Sequence, residues 1–406
     1  MEVIAKTEAQ KLRETSYAIE VVETEQFKNL STNGNEILAK VPGVNIRQSG
    51  GLGSEFNLSL NGLSDNQVRV FIDGIPMDYF GTSLSLNNFS ANLIEQIEVY
   101  KGVVPIHLSS DALGGAINIA TNQENKSFLD VSYGFGSFNT HIASINGQYR
   151  DSSSGFTTRL KSFYNYSDNN YKIDINLINN DTGREDEFAT EVERFYDAYE
   201  SKMIWLEAGY TNTKFADKLL FGILNSDNFN EIQFNEVSIG DSTDPYGEVL
   251  VKEESIISNF TYSKKGLFTK KLSVNSYLVN VIAEETFRDI SDYNYAWDGT
   301  RELRNAIGLG ETDVRKTQLT LDKENLLGNF NAEFAFNKKH NIAVNFSLNS
   351  FKLSGEDQFN NQNQTQFSTP SRINKQVLAF SYTNSLVDSK LSNCLLYTSP
   401  SPRDRG

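Results

Sequence analysis

From Lys126 onward the chain repeats one pattern, in which apolar and polar residues alternate along stretches separated by polar loops. Leu129, Val131, Tyr133 and Phe135 alternate with Asp130, Ser132 and Gly134. Ile342, Val344, Phe346 and Leu348 alternate with Asn341, Ala343, Asn345, Ser347 and Asn349. Successive side chains of a strand point to opposite faces, so the pattern predicts strands with one apolar and one wet face. Two architectures satisfy it: a sandwich whose apolar faces meet each other, or a barrel whose apolar face meets lipid. Length separates the two. Residues 248–262 and 269–287 read as strands much longer than the roughly 5–6 residues usual in soluble sheets, which favours the barrel. No run approaches the roughly 18 consecutive apolar residues of a membrane helix, and a membrane barrel needs none. Aromatic residues make up 12% of the chain, with 18 Tyr and 27 Phe, a supply that suits the interfacial girdles of a barrel.

Connections are expected to alternate in length, with tight turns at 135–138 and 337–340 and long loops at 169–196, 225–246, 289–311 and 355–374. Short turns on one side and long loops on the other are the outer-membrane pattern. We count roughly ten strands, against the about 22 of the largest plugged barrels.

The residues before Lys126 have a different texture. Asn35 is placed to cap a helix over 36–41 that Pro42 ends. Gly50, Gly51 and Gly53 allow tight backbone approaches. Short strands are predicted around 57–61, 68–72 and 116–120, with Asp73-Gly74 as a hairpin turn. This is a small α+β unit of many short elements, suited to burial inside something larger.

Four blocks stand in order here: Asn35-Glu36-Ile37-Leu38-Ala39-Lys40-Val41-Pro42-Gly43-Val44, then Gln67-Val68-Arg69-Val70-Phe71-Ile72-Asp73-Gly74-Ile75-Pro76-Met77, then Ile94-Glu95-Gln96-Ile97-Glu98-Val99-Tyr100-Lys101-Gly102, then Asp111-Ala112-Leu113-Gly114-Gly115-Ala116-Ile117-Asn118-Ile119. In order and spacing they resemble the plug domain of TonB-dependent outer-membrane receptors. The resemblance implies a small α+β plug domain followed by a partial antiparallel transmembrane β-barrel. It divides the chain into an N-terminal segment at 1–19, a plug at 20–123 and barrel strands at 126–393. It further implies energy-coupled uptake of a scarce, bulky solute across the outer membrane of a Gram-negative bacterium, with a ferric siderophore as the family's commonest cargo. The implied partners are the TonB complex, the imported metal chelate or other small solute, outer-membrane lipid and, in some relatives, a surface lipoprotein.

Within that frame Glu2, Val3, Ile4, Ala5, Lys6 and Thr7 resemble the TonB box, an extended stretch that adds as a strand to the edge of a partner sheet; by themselves they read equally as a frayed terminus. Asp78, Tyr79, Phe80, His107 and Ser109 are candidates for the plug apex that faces ligand, together with the glycine-rich residues 48–55. Arg47, Arg69, Glu95, Glu98 and Lys101 are candidates for locking plug to barrel. The family's Arg-Gly pairs are replaced here by Asn61-Gly62 and Lys101-Gly102, and lysine does not reproduce the bidentate grip of arginine on a carboxylate. An ordinary solvated or ion-paired face is the competing account of these charges.

The chain's two ends depart from the rest. Residues 1–8 show no basic and apolar leader. Residues 394–406 break the alternating pattern and read as an in-frame translation of a sequencing-library adapter, so they are set aside as not native. The sole cysteine, Cys394, falls there, leaving no disulfide framework or thiolate site to expect. A net charge of −15 argues against nucleic acid, which needs a basic surface. No metal-ligand spacing, nucleophile elbow or phosphate loop is present, so neither an enzyme nor a resident cofactor is expected. The competing readings are a passive porin or adhesin barrel, and a secreted β-sandwich module.

Overall fold

The computed structural model describes residues 8–400, apart from 16, 29–31, 65–66, 109–113, 123–124, 180–183, 186, 234–243, 306, 313, 338, 361–366 and 387–390. Two bodies of structure follow one another along the chain. The first is built on a five-stranded mixed sheet in the order Ile19–Glu23, Ile94–Tyr100, Gly115–Thr121, Val68–Ile72, Ile75–Pro76. The second is a continuous eleven-stranded antiparallel sheet running from Phe128–Gly136 to Leu391–Pro400, each strand paired with its neighbour in sequence.

The first body closes around an apolar core that includes Ile37, Leu38, Leu60, Leu93 and Ile97, each fully buried. Two short α-helices, Glu8–Arg13 and Gly34–Leu38, belong to it; the cap of the second is Asn33, whose side chain accepts from the Glu36 N–H at 3.0 Å. Asn33 has the extended backbone that a cap requires. Asn35, expected in that role, lies inside the first turn, where its side-chain amide is buried against Asn87. The predicted hairpin forms between Val68–Ile72 and Ile75–Pro76, with Asp73 and Gly74 at φ 51° and 84°, the doubly left-handed turn that matches strand twist.

In the long sheet the alternation separates two environments. Along Tyr199–Thr211, Ser201, Met203, Trp205 and Glu207 are buried while Ile204 and Leu206 are 54% and 55% exposed. The exposed face lines up across strands: Leu206 opposite Ile223, Phe221 opposite Phe260, Phe260 opposite Leu278, and Phe330 opposite Phe346. A contiguous exposed apolar band on membrane-length strands is a lipid face. Strands such as Leu272–Asp289 and Thr317–Ala335, with 18 and 19 residues, exceed the ~9–11 needed to span a bilayer and project beyond it. Among the described residues no helix is long and apolar enough to cross a membrane.

The loop expectations need two corrections. Residues 225–231, Asp289, 355–357 and 371–374 belong to strands, because main-chain pairing continues past the last alternating apolar residue. The tight turn at 137–139 sits at the rim of the long loops, where Phe138 accepts from the Asp168 N–H at 3.0 Å; its shortness does not mark the opposite side. The long connections 168–198, 232–249, 290–316 and 358–370 share that rim. Ten strands lie between Phe128 and Leu386, as counted, and an eleventh, Leu391–Pro400, runs through Cys394 and pairs with Ser371–Leu386. Main-chain bonds are indifferent to the side-chain pattern that breaks there. Residues 401–406 lie outside the described residues.

Candidate functional site

The compact body sits against the buried face of the long sheet, and the functional geometry lies between them. Asp73 stands at its centre. Its carboxylate accepts from the N–H and hydroxyl of Thr121 at 2.9 and 2.6 Å, tying the hairpin turn to the strand Gly115–Thr121. It also faces the Lys161 ammonium across the gap at 3.8 Å. Lys161 is 2% exposed, lies 4.0 Å from the Trp205 ring centroid and donates to Glu207 at 3.3 Å. Arg159 on the same strand donates to Gln148 at 2.7 Å and lies 4.0 Å from Glu207. A buried charge persists only where it is paired and hydrogen-bonded, and this group meets that condition across two separate bodies. Burial pushes the Asp73 carboxyl up, but the Lys161 and Lys218 cations and the Thr121 bonds outweigh it and hold the group below the usual carboxylate range.

A second tie lies nearer the long-loop rim. The Thr82 N–H and hydroxyl both donate to the Glu253 carboxylate, at 2.6 and 3.2 Å. Glu253 is buried and bridged by Lys323, which also pairs with Glu285 at 2.6 Å. Gly81, at φ 88°, permits the approach: a Cβ there would stand 2.1 Å from a Glu253 oxygen. Further hydrogen bonds join Asn92 to Asp130, Asn146 to the Asn92 carbonyl, Asn165 to the Asn88 carbonyl, Tyr199 to Asn88 and Asn228 to Thr82, at 2.9–3.1 Å.

The residues expected to act are distributed differently. The glycine-rich segment reaches the long-loop rim: Asn169 donates to the Leu52 carbonyl at 2.9 Å, and a Cβ at Gly53 would stand 2.1 Å from the Tyr199 ring. Tyr79 and Phe80 sit deeper. Phe80 is buried, and Tyr79 lines a cavity with Tyr277 and Leu327 of the long sheet. Asp78 pairs with Arg69. Lys101 lies 3.8 Å from Glu20, and Glu98 accepts from Tyr100 and Asn118 at 3.0 and 3.1 Å, contacts internal to the compact body. Arg47 and Glu95 present exposed side chains. Burial pushes the His107 imidazole down to about 4, and Ile106 beside it packs on Ala343 and Ala379. Ser109 and the segment Glu2, Val3, Ile4, Ala5, Lys6 and Thr7 lie outside the described residues. Among the described residues no group of three or more His, Cys, Asp or Glu is arranged to hold a metal.

Sequence reasoning missed Asp73 as an anchor, and with it Lys161, Glu207 and Glu253. The one available signal was charge at alternate positions of a strand, Arg159 and Lys161 flanking Leu160; alternation alone does not say which face turns inward.

At the rim the long loops are tied to one another. Gln233, fully buried, accepts from the N–H groups of Phe195 and Tyr196 at 2.7 Å each and donates to the Tyr246 carbonyl. Glu311 accepts from Gly247 and Glu248 N–H at 2.5 and 2.9 Å. Burial pushes its carboxyl up to about 7, the two backbone bonds lowering it and Asp289 and Glu248 adding to the rise.

Residues 11–116 match the family described as TonB-dependent Receptor Plug Domain. A curated relative, the vitamin B12 transporter BtuB of Vibrio vulnificus, is 33% identical over 163 residues, 38% of this chain and 25% of its own length. Among solved structures, a point mutant of the ferric enterobactin receptor PfeA of Pseudomonas aeruginosa superposes with a TM-score of 0.67 at 14% identity, over 98% of this chain and 59% of that one. The copper transporter OprC superposes at 0.63 and 13%, over 95% and 55%. The chain thus spans about a quarter of the length of that curated relative and little more than half of those receptors, and its fold is theirs.

Proposed function

We propose, from the premise that this chain carries the plug and a large part of the barrel wall of a TonB-dependent outer-membrane receptor, that it serves energy-coupled import of a scarce, bulky solute. The observation that carries the reading is the plug itself, seated on the polar face of a membrane-length sheet and fixed there by buried charges and hydrogen bonds. A passive pore has no use for such a fitting. The outer membrane of a Gram-negative bacterium is where such a receptor works.

In this reading residues 20–123 form the plug and residues from 126 the wall. Solute meets the Gly50–Gly53 tip of the plug beneath the tied outer loops, and Glu2, Val3, Ile4, Ala5, Lys6 and Thr7 offer main-chain bonds to TonB. Cobalamin, copper and ferric enterobactin are the cargoes named for the relatives above. We take a ferric siderophore or similar metal chelate as the first class to test. The test is uptake of radiolabelled cobalamin and a panel of ferric siderophores by cells that rely on this receptor. Uptake of one of them should vanish on deleting residues 2–7 or adding a protonophore, with surface binding retained. Uptake that survives both treatments would sink the energy-coupled reading.

A further inference from the structure

On the tallest strands the two faces of the wall exchange character toward the long-loop rim. Along His340–Asp357 the outward positions are apolar through Ile342, Val344, Phe346 and Leu348, then polar through Ser350, Lys352, Ser354 and Glu356. Its inward positions change in the opposite sense: Asn345, Ser347 and Asn349 give way to Phe351 and Leu353. Thr317–Ala335 repeats the exchange. Outward Phe330 and Leu326 are followed by Glu324, Asp322 and Thr320, and inward Asn329 and Asn325 by Leu321 and Leu319. On Ser371–Leu386, Phe380 and Leu378 yield outside to Gln376 and Asn374, while Ile373 enters inside. Lys323 fixes which face is inward, since it bonds the same Glu253 that accepts from the plug's Thr82.

The outer half of the exchange has an ordinary cause: the strands leave lipid and meet water. The inner half has no such cause, because the lumen of a membrane barrel is wet and polar. Six apolar side chains nevertheless adjoin there. Phe287 stands opposite Leu319 and Phe351 opposite Ile373, with Leu321 and Leu353 between the two pairs. Ile373 is 61% exposed and the other five are half-buried. Among the described residues none of the six packs into the apolar core that plug and wall share, to which Tyr277 and Leu327 lower on the same strands contribute. Apolar surface facing water is unfavourable in proportion to its area, and a contiguous patch of it marks a binding surface. The charges at its border select the occupant. Lys323 serves both Glu253 and Glu285, so the trio keeps an excess of one negative charge, which disfavours an anion and leaves an uncharged apolar group as the fit.

We propose that this patch binds an uncharged aryl or alkyl portion of the imported solute on the long-loop side of the plug, before transport. The cargo is then amphipathic, with its apolar group on the wall and its polar remainder toward the plug tip at Gly50–Gly53. The proposal rests on the import reading given under Proposed function and names the class of solute for it.

Protection of a cysteine tests it without knowledge of the cargo. In a Cys394→Ser background, Leu353→Cys reports the patch, and Asp298→Cys, exposed at the turn of an outer-loop hairpin, is the control. Each is labelled in outer membranes with a polar maleimide in the presence of millimolar phenyl glucoside, hexyl glucoside or glucose. The expected result is labelling at 353 slowed several-fold by phenyl or hexyl glucoside but not by glucose, with 298 unaffected, and the protection lost on adding Phe351→Asn. Equal rates at 353 with all three sugars overturn the proposal. So does a Leu353→Cys that labels only after denaturation, since the chain's own outer loops then cover the patch. Energy-coupled uptake without protection removes the patch and keeps the import reading; protection without energy-coupled uptake keeps an apolar site and removes the import reading. Heat-modifiable migration identifies a variant that fails to fold, for which Leu321→Cys stands in.

Discussion

Plug and wall solve opposite problems with the same residues. The plug turns Ile37, Leu38 and Leu93 inward and buries them completely. The wall turns Leu206, Ile223 and Ile282 outward and leaves each about half exposed, because its outer solvent is lipid. The polar residues therefore lie inside, on the face the plug must occupy. A plug packed against that face cannot rely on apolar burial alone, and the structure supplies Asp73–Lys161 and Thr82–Glu253 instead. The difference teaches that an apolar residue has no fixed side; the neighbouring phase assigns one.

Four measurements break or sharpen this comparison. The largest effect is expected from Lys161→Ala, which removes the buried cation that Asp73 and Glu207 share and leaves only Lys218 and Arg159 near them. Loss of one partner of a buried pair costs about 3–5 kcal/mol, read as a lowered denaturant midpoint for the protein refolded in detergent. An unchanged midpoint would mean that the cluster is hydrated and contributes little. Next comes Ile223→Lys on the lipid face, expected to cost roughly 2–4 kcal/mol of folding into vesicles. Equal stability would place Ile223 away from the hydrocarbon. Asn33→Ala should cost the plug about 1 kcal/mol through its lost cap, whereas Asn35→Ala removes the buried contact with Asn87 without uncapping the helix. Helix amide exchange should rise only in the former.

The smallest effect concerns pH at the rim. Glu311 has a folded pKa raised from 4.5 to about 7, so the folded state binds the extra proton. Its contribution is fully present below pH ~4.5 and is lost as pH rises through ~7. Trypsin should therefore cut the 290–316 loop more slowly at pH 6 than at pH 8, and Glu311→Gln should flatten that difference. A rate ratio unaltered by the substitution would assign the pH effect to another group.

Much of the architecture was legible in the chain. Alternation gave the strands, and Asp73-Gly74 gave the hairpin, since both signals are local. What escaped depends on contacts distant in sequence. The Asp73–Lys161 tie joins a turn to a strand far along the chain, and nothing in either segment marks the other. Tyr79 and Phe80, candidates for the ligand-facing apex, pack against the wall, a placement set by the hairpin before them and not by their own sequence. The cap shifted from Asn35 to Asn33 because both residues can cap, and the burial of Asn35 against Asn87 decided between them.

The Asp73 turn leaves its own position little freedom to drift. Asparagine would tolerate the left-handed backbone and could still face Thr121, but would bring no charge to Lys161. Glutamate would bring the charge, on a longer arm and with less tolerance of φ near 51°. Each single replacement satisfies one demand and fails another, so change here has to be accompanied by change in the wall. Co-variation between position 73 and position 161 in sequences of the same lineage is the trace such a constraint would leave.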